Sequence, residues 1–298
     1  MKQFRKKLIV LHRCKGITRK TIRMILKKDP SLNLLPTLSP QEISNTFPLT
    51  QPRAAQLHRD YHNEQLWQQV ESDDRHYQII TIVDEIYPPM IKPIKDQPLV
   101  LYALGNVELL KHHPSLSIIG TRNPTEEAAA KMKFIIPPLL EKDCLIVSGM
   151  AKGIDSYAHR LALYNGGKTI AVLGSGFLHI YPRQNEILFK QIAEKGLLLS
   201  EYPPHTPPSK FHFPERNRII SGLSYGTLVI EATERSGTLI TVGQALDQGR
   251  EVYAMPGSPL HPQSSGCNRM IQDGAKLVME PNDILEDWET LGKNLSNL

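Results

Sequence analysis

The amino-acid sequence predicts an α/β fold: a doubly wound, mostly parallel sheet preceded by a small helical domain. Three observations predict it. Short β-branched or apolar runs recur from Ile79 onward, each separated from the next by a stretch of helical composition. Several of these runs end in glycine-rich turns, as strands feeding helices do. The first part of the chain lacks such runs and instead places Leu8, Leu11, Ile17, Ile22, Ile25 and Leu26 at roughly helical spacing.

The helical domain is predicted over 1–72, with breaks at Pro30, Pro36, Pro40, Pro48 and Pro52. Its turn Lys15-Gly16-Ile17-Thr18, between two basic helices, resembles a helix-hairpin-helix, in which hairpin amides meet a phosphate. The same residues also fit an ordinary helical pair with a solvated basic face. Strands are then predicted at Ile79 to Val83, Leu99 to Ala103, Leu116 to Ile119, Leu145 to Val147, Thr169 to Leu173, Leu197 to Leu199, Thr227 to Ile230, Val252 to Ala254 and Lys276 to Val278. They form one extended sheet, a second domain over 76–280. Residues 281–298 read as a short polar tail, frayed beyond Trp288.

A chain of 298 residues can bury a full α/β core and still carry a small extra domain. No apolar run approaches the roughly 20 residues that span a bilayer, and the lysine-rich start lacks the apolar segment of a secretion signal. A cytosolic protein without membrane contact is expected. Cys14, Cys144 and Cys267 are odd in number, far apart and without a CxxC pair, which argues against a disulfide framework or a zinc site.

The net charge of +5 conceals an asymmetry, because residues 1–28 hold 11 of the 35 Lys and Arg and none of the 30 Asp and Glu. The remaining 24 cations leave the rest of the chain at −6. Bulk charge therefore does not draw a polyanion to the sheet domain. Particular arginines and backbone amides in a focused groove would have to do so, with help from the basic start.

Ligands of an open parallel sheet bind beyond the carboxyl ends of its strands, and there the sequence concentrates glycine. Gly120-Thr121-Arg122 follows one strand, Ser148-Gly149-Met150-Ala151-Lys152-Gly153-Ile154-Asp155 the next, and Gly174-Ser175-Gly176 a third. Glycine permits close backbone approach, hydroxyls donate, and helix N-termini present unpaired N–H groups to anions. Any one loop also reads as a tight βα turn; three on one edge predict an anion pocket. None matches the P-loop pattern, and no GxGxxG opens a helix, so no tightly held ATP, NAD or other cofactor is expected.

Tyr181-Pro182-Arg183 and Phe211-His212-Phe213-Pro214-Glu215-Arg216-Asn217-Arg218 interleave arginines with aromatic rings, which suits the phosphates and unpaired bases of single-stranded nucleic acid. The alternative is that the rings are core and the arginines pair with acids such as Glu186 and Glu215. Further on, a buried strand delivers Glu231 to the ligand edge, and Ser236-Gly237-Thr238 starts a helix with free amides or, equally, a capped helix without a ligand.

Together these motifs resemble the bacterial DNA-processing protein A family (DprA, also called Smf) from about Tyr77 to Val278. The carriers are Gly120-Thr121-Arg122, the run Ser148 to His159, Tyr181-Pro182-Arg183, Phe213 to Gly222, Arg235 to Thr241 and Met255-Pro256-Gly257-Ser258. The resemblance implies an extended Rossmann domain that binds single-stranded DNA without a strict sequence rule, dimerises, and helps load the RecA recombinase in natural transformation. It places Arg122 and Arg183 on the DNA, with Lys152 and Arg216 to Arg218 nearby. Family members often have lysine where Arg183 stands, which keeps the charge and changes its geometry. The resemblance puts the dimer contact around Met270, Ile271 and Leu277, which equally fit an ordinary core. It makes the helical part a SAM-like domain, and the roughly twenty residues after Val278 are too few for the winged helix some members carry.

A catalytic reading is weaker. The rival is a nucleotide hydrolase of the lysine-decarboxylase-like Rossmann group, whose PGGxGTxxE loop would need a carboxylate where Thr241 stands. Asp155 and His159, four apart on one helix face, could form an acid–base pair, although a structural His–carboxylate pair is commoner. His112-His113, His205 and His212 lack partners at metal-ligand or triad spacing, so a binding protein and not an enzyme is expected.

Overall fold

The computed structural model describes residues 2–295, with side chains through Trp288, as two compact units. The first comprises residues 2–87 with 98–102, the second 88–97 with the chain from 103 onward.

Five helices make up most of the first unit: α1 (Lys2–Arg13), α2 (Arg19–Lys28), α3 (Pro40–Thr46), α4 (Gln51–Tyr61) and α5 (Glu64–His76). Their starts follow capping chemistry. Thr18 caps α2 by accepting from the Thr21 N–H, and Ser39 and Glu42 form a reciprocal capping box on α3. The predicted domain boundary near residue 72 falls short of this unit, which also takes in β1 (Gln78–Thr81) and residues 98–102. The reason lies in two α1 arginines. Arg5 donates to the Ile79 carbonyl and pairs with Asp84 at 3.2 Å, while Arg13 donates to Tyr102 Oη at 2.9 Å and meets Asp73 at 2.8 Å.

In the second unit β3 (Ser115–Ile119), β4 (Leu145–Ser148), β5 (Thr169–Leu173), β6 (Leu197–Ser200), β7 (Gly226–Val229), β8 (Glu251–Ala254) and β9 (Lys276–Leu277) are all parallel in the order β6-β5-β4-β3-β7-β8-β9. β2 (Val100–Gly105) ends in this unit. The helices between are α6 (Glu126–Glu141), α7 (Ile154–Tyr164), α8 (Glu186–Lys195), α9 (His212–Gly222), α10 (Thr238–Asp247) and α11 (Pro262–Gln272). From β3 the chain winds outward through β4, β5 and β6, then returns to lay β7 on the other side of β3. With right-handed crossovers this reversal makes the β3–β7 border the topological switch point. There Leu116 pairs with Gly226 and Ile119 with Val229.

Strands buried on both faces read as continuous apolar runs, and Leu116, Ile118, Ile146, Val147, Val172 and Leu228 are each fully buried. The predicted C-terminal tail is corrected: Asn282–Leu295 forms a helix, α12. Ile284, Leu285 and Trp288 recur on one face and pack on the core, where Trp288 lies 5.1 Å from the Tyr225 ring and Asp287 accepts from Tyr253 Oη at 2.9 Å. Residues 296–298 of that expected tail lie outside the described residues.

Candidate nucleic-acid interface

The loops at the switch point are built first by backbone. Leaving β3, Thr121 N–H donates to the Glu231 carbonyl at 2.8 Å, and the Thr121 carbonyl accepts from Ile154 N–H, the first residue of α7, at 3.2 Å. The Glu231 side chain is directed to the neighbouring loop. It is buried, accepts from the Thr125 amide at 3.0 Å and from the Thr125 hydroxyl, and so anchors the cap of α6. Residues 120–125 are thereby held at both ends, and Arg122 is exposed between them.

The loop after β4 crosses directly beside this one. Gly153 has φ +87°, and a Cβ there would lie 2.4 Å from the Thr121 carbonyl oxygen and 2.8 Å from the Arg122 carbonyl carbon. Glycine is therefore required for contact with the neighbouring loop, and exposed Lys152 comes next to Arg122. The third loop joins through Asn185, whose side-chain amide donates to the Met150 carbonyl at 2.9 Å. Exposed Arg183 stands two residues before it, and Tyr181, 47% exposed, lies 5.2 Å from the Phe213 ring. Phe211 is 80% exposed.

Several predicted contacts are corrected by what their side chains touch. Ser148 is buried and donates to the Ile118 carbonyl at 2.6 Å; Ser175 is buried and donates to the His179 carbonyl at 2.8 Å. Thr238 is buried as well. Gly149 covers a protein cation: a Cβ there would sit 1.6 Å from the Arg216 guanidinium. Gly176 lies under the backbone of Pro203 and Pro204. Arg216 itself is buried, donating to the Val172 carbonyl at 2.8 Å, and Arg218 is buried against Glu201. Both guanidiniums are directed to protein acceptors. Gly120, Thr121, Asn217 and Ser236 are half-buried at the edge, and Gly237 is exposed with open space about its Cα. Arg122, Lys152 and Arg183 are the predicted cations that the fold leaves at the surface.

Buried charge lies beneath these cations. Burial pushes the Asp155 carboxyl above its usual range, opposed by Arg216, by the Ala151 and Gly149 amides that donate to it, and by Arg122. Asp155 and His159 do not form the acid–base pair their spacing allowed. Thr169 Oγ1 donates to the Ile146 carbonyl at 2.9 Å, so it accepts from His159 Nδ1–H at 2.6 Å, and Nε2 is left without a partner. Burial, with Arg216 adding to it, pushes the imidazole down to about 3.

The unfolded chain therefore binds a proton near pH 6.5 that the folded chain refuses. Between those two values stability is expected to fall with acidification by up to about 1.4 kcal/mol per pH unit from this group. Denaturant midpoints measured down the acid limb will show it, as the slope that His159→Gln removes.

Sequence reasoning missed Thr125 and Asn185. Thr125 was detectable as a helix cap ahead of Glu126-Glu127. The Asn185 bond joins two loops distant in sequence, and no local spacing encodes it. Among the described residues no group of three or more His, Cys, Asp or Glu could hold a metal ion, and no helix is long and apolar enough to cross a membrane. All three cysteines are free and buried.

Parallel strands reversing at a switch point, with glycine-rich loops and exposed cations on them, define an extended Rossmann-like α/β protein with a cationic edge. The chain belongs to the DNA recombination-mediator protein A family, whose family model matches residues 78–289. It is 47% identical over 209 residues to DNA processing protein DprA of Streptococcus pneumoniae, covering 70% of this chain and 73% of that one. Protein Smf of Escherichia coli is 42% identical over 214 residues, 72% of this chain and 57% of its own. The X-ray structure of DNA processing protein A from Streptococcus pneumoniae superposes with a TM-score of 0.84 at 38% identity, covering 94% of this chain and 97% of that one. A structure describing the single-stranded DNA binding mode of DNA processing protein A from Helicobacter pylori matches with a TM-score of 0.64 at 29% identity, over 74% of this chain and 98% of that one.

Proposed function

We propose that this protein binds single-stranded DNA along the switch-point edge, without a strict sequence rule, and delivers it to the RecA recombinase during natural transformation in the cytoplasm. The observation that carries the reading is the trio Arg122, Lys152 and Arg183: three cations on three loops that backbone and side-chain bonds lock together, exposed at the edge where Arg216 and Arg218 are buried. Arginine forks onto phosphate oxygens, and exposed Tyr181 and Phe211 offer faces on which bases stack. The family description as recombination mediator supports delivery to a recombinase, and the binding described for the Helicobacter pylori relative supports the ligand.

The proposed role is binding without catalysis. His159 and Asp155 are occupied with Thr169 and loop amides, and Thr241 is buried where a nucleotide hydrolase would need its carboxylate. The working form is a homodimer. Met270 is buried in the chain's own core, so the self-complementary contact is proposed to use Ile271, half-buried, and Leu277, 40% exposed, with neighbouring Met279.

The reading is tested with oligo-dT of increasing length and a thymidine mononucleotide as competitor. Affinity is expected to rise with length while the mononucleotide fails to displace the strand. Saturation by the mononucleotide would identify a small-nucleotide pocket instead.

A further inference from the structure

We infer that Arg216 is a positioning residue for the proposed single-strand site: from inside the fold it sets the course of the loop, residues 149–153, that presents Lys152. The inference rests on the single-strand reading and adds a buried residue to it. Arg216 is 5% exposed, and its guanidinium occupies the place a side chain at position 149 would take. A Cβ on Gly149 would meet Nη1 at 1.6 Å, Cζ at 2.3 Å and Nη2 at 2.6 Å. Nη1 is fixed in turn by the Val172 carbonyl of β5, to which it donates at 2.8 Å. The loop leaving β4 is thus laid on a flat group that β5 holds.

Asp155 grips the same loop from α7. Its buried carboxylate accepts from the Ala151 N–H at 3.3 Å and from the Gly149 N–H, and is attracted to Arg216. Between these two amides Met150 is fully buried at φ +57°, a left-handed conformation that is costly for a residue with a side chain. Such backbone persists only where its surroundings over-determine it. Here they are the guanidinium, the carboxylate, and the Asn185 amide on the Met150 carbonyl at 2.9 Å. Lys152 follows two residues later and is exposed.

As a device for stability the arrangement is poor. A buried ion pair gains little over well-packed apolar residues, and Arg216 Nε has no hydrogen-bond partner among the described residues. What the guanidinium supplies, and an apolar side chain does not, is a rigid plane with a directed donor. Only glycine at position 149 lets the backbone lie against that plane. The pair therefore serves the course of the loop, and through it the placement of Lys152.

The test measures oligo-dT affinity and the denaturant midpoint of the full chain. Arg216→Lys keeps a charge beside Asp155 and removes the planar fork. Gly149→Ala pushes on the guanidinium from the loop side. Its Cβ meets the far end of a flexible side chain, which can yield, so this variant carries the comparison alone should the lysine variant not fold. Each is made in the wild type and in Lys152→Gln. Each is expected to weaken binding about threefold to tenfold in the wild type, and to add little once Lys152 is gone. The log–log salt slope should shrink by roughly 0.7 in Lys152→Gln and no further in the double variants. Additive losses would make Arg216 a contact in its own right, and unchanged affinity at a lowered midpoint would make it merely structural. Either result overturns the inference and leaves the single-strand reading standing. A wild type that does not bind oligo-dT would overturn both, and full affinity in Lys152→Gln would overturn the inference by removing Lys152 from the site.

Discussion

Arg218→Ala is expected to destabilise the protein by about 3–5 kcal/mol while leaving the salt dependence of DNA binding unchanged. Arg218 Nη2 lies 2.8 Å from both Glu201 carboxylate oxygens, Nη1 donates to the Glu215 carbonyl at 3.0 Å, and Nε stands 3.4 Å from Asp96. Glu201 is 3% exposed. Removing the guanidinium takes the two-pronged partner from a carboxylate in a low-dielectric interior, and breaking such a buried pair costs more than the lost contact itself. For a folding unit of this size the loss corresponds to a fall in Tm of roughly 10 °C. Glu201→Ala combined with Arg218→Ala should recover part of it, because the buried carboxylate goes as well. A variant of normal stability with a shallower salt slope would instead put Arg218 on the DNA.

The strands were legible because each is a short β-branched or apolar run closed by a turn, and all nine formed with ends shifted by a residue or two. Legibility of the site was uneven for a physical reason. Glycine after a strand announces close approach without saying of what: Gly153 meets the Arg122 backbone, Gly149 meets a guanidinium, and Gly237 faces open space. Arg216-Asn217-Arg218 read as a surface cation cluster because arginine is usually exposed. Its acceptors, the Val172 carbonyl and Glu201, lie on β5 and just past β6, so no spacing within α9 reveals them. The unit boundary was misplaced for the same reason, since Arg5 and Arg13 tie α1 to residues that sequence texture assigns to the sheet.

Arg122 is where sequence and structure converge. Its loop is pinned by Glu231 on one side and by Ile154 on the other, so the side chain is presented at the switch point from a backbone that need not reorganise. A charge-assisted hydrogen bond to phosphate contributes about 1.5–3 kcal/mol, and reversing the charge adds repulsion from a backbone already negative. Arg122→Glu should therefore lower single-strand affinity by at least roughly tenfold to a hundredfold, with only a small loss of stability, since the side chain is exposed and is the least of the groups that support the Asp155 carboxylate.

The most direct measurement is the affinity of labelled oligo-dT for the wild type and for Arg122→Glu across roughly 50 to 200 mM salt. The switch-point edge as a phosphate-holding surface requires a steep loss of wild-type affinity over that range. It also requires a weaker and flatter response in the variant, the log–log slope shrinking by about 0.7 for each contact removed. Equal affinities and equal slopes for the two proteins would contradict it and move the strand away from this edge.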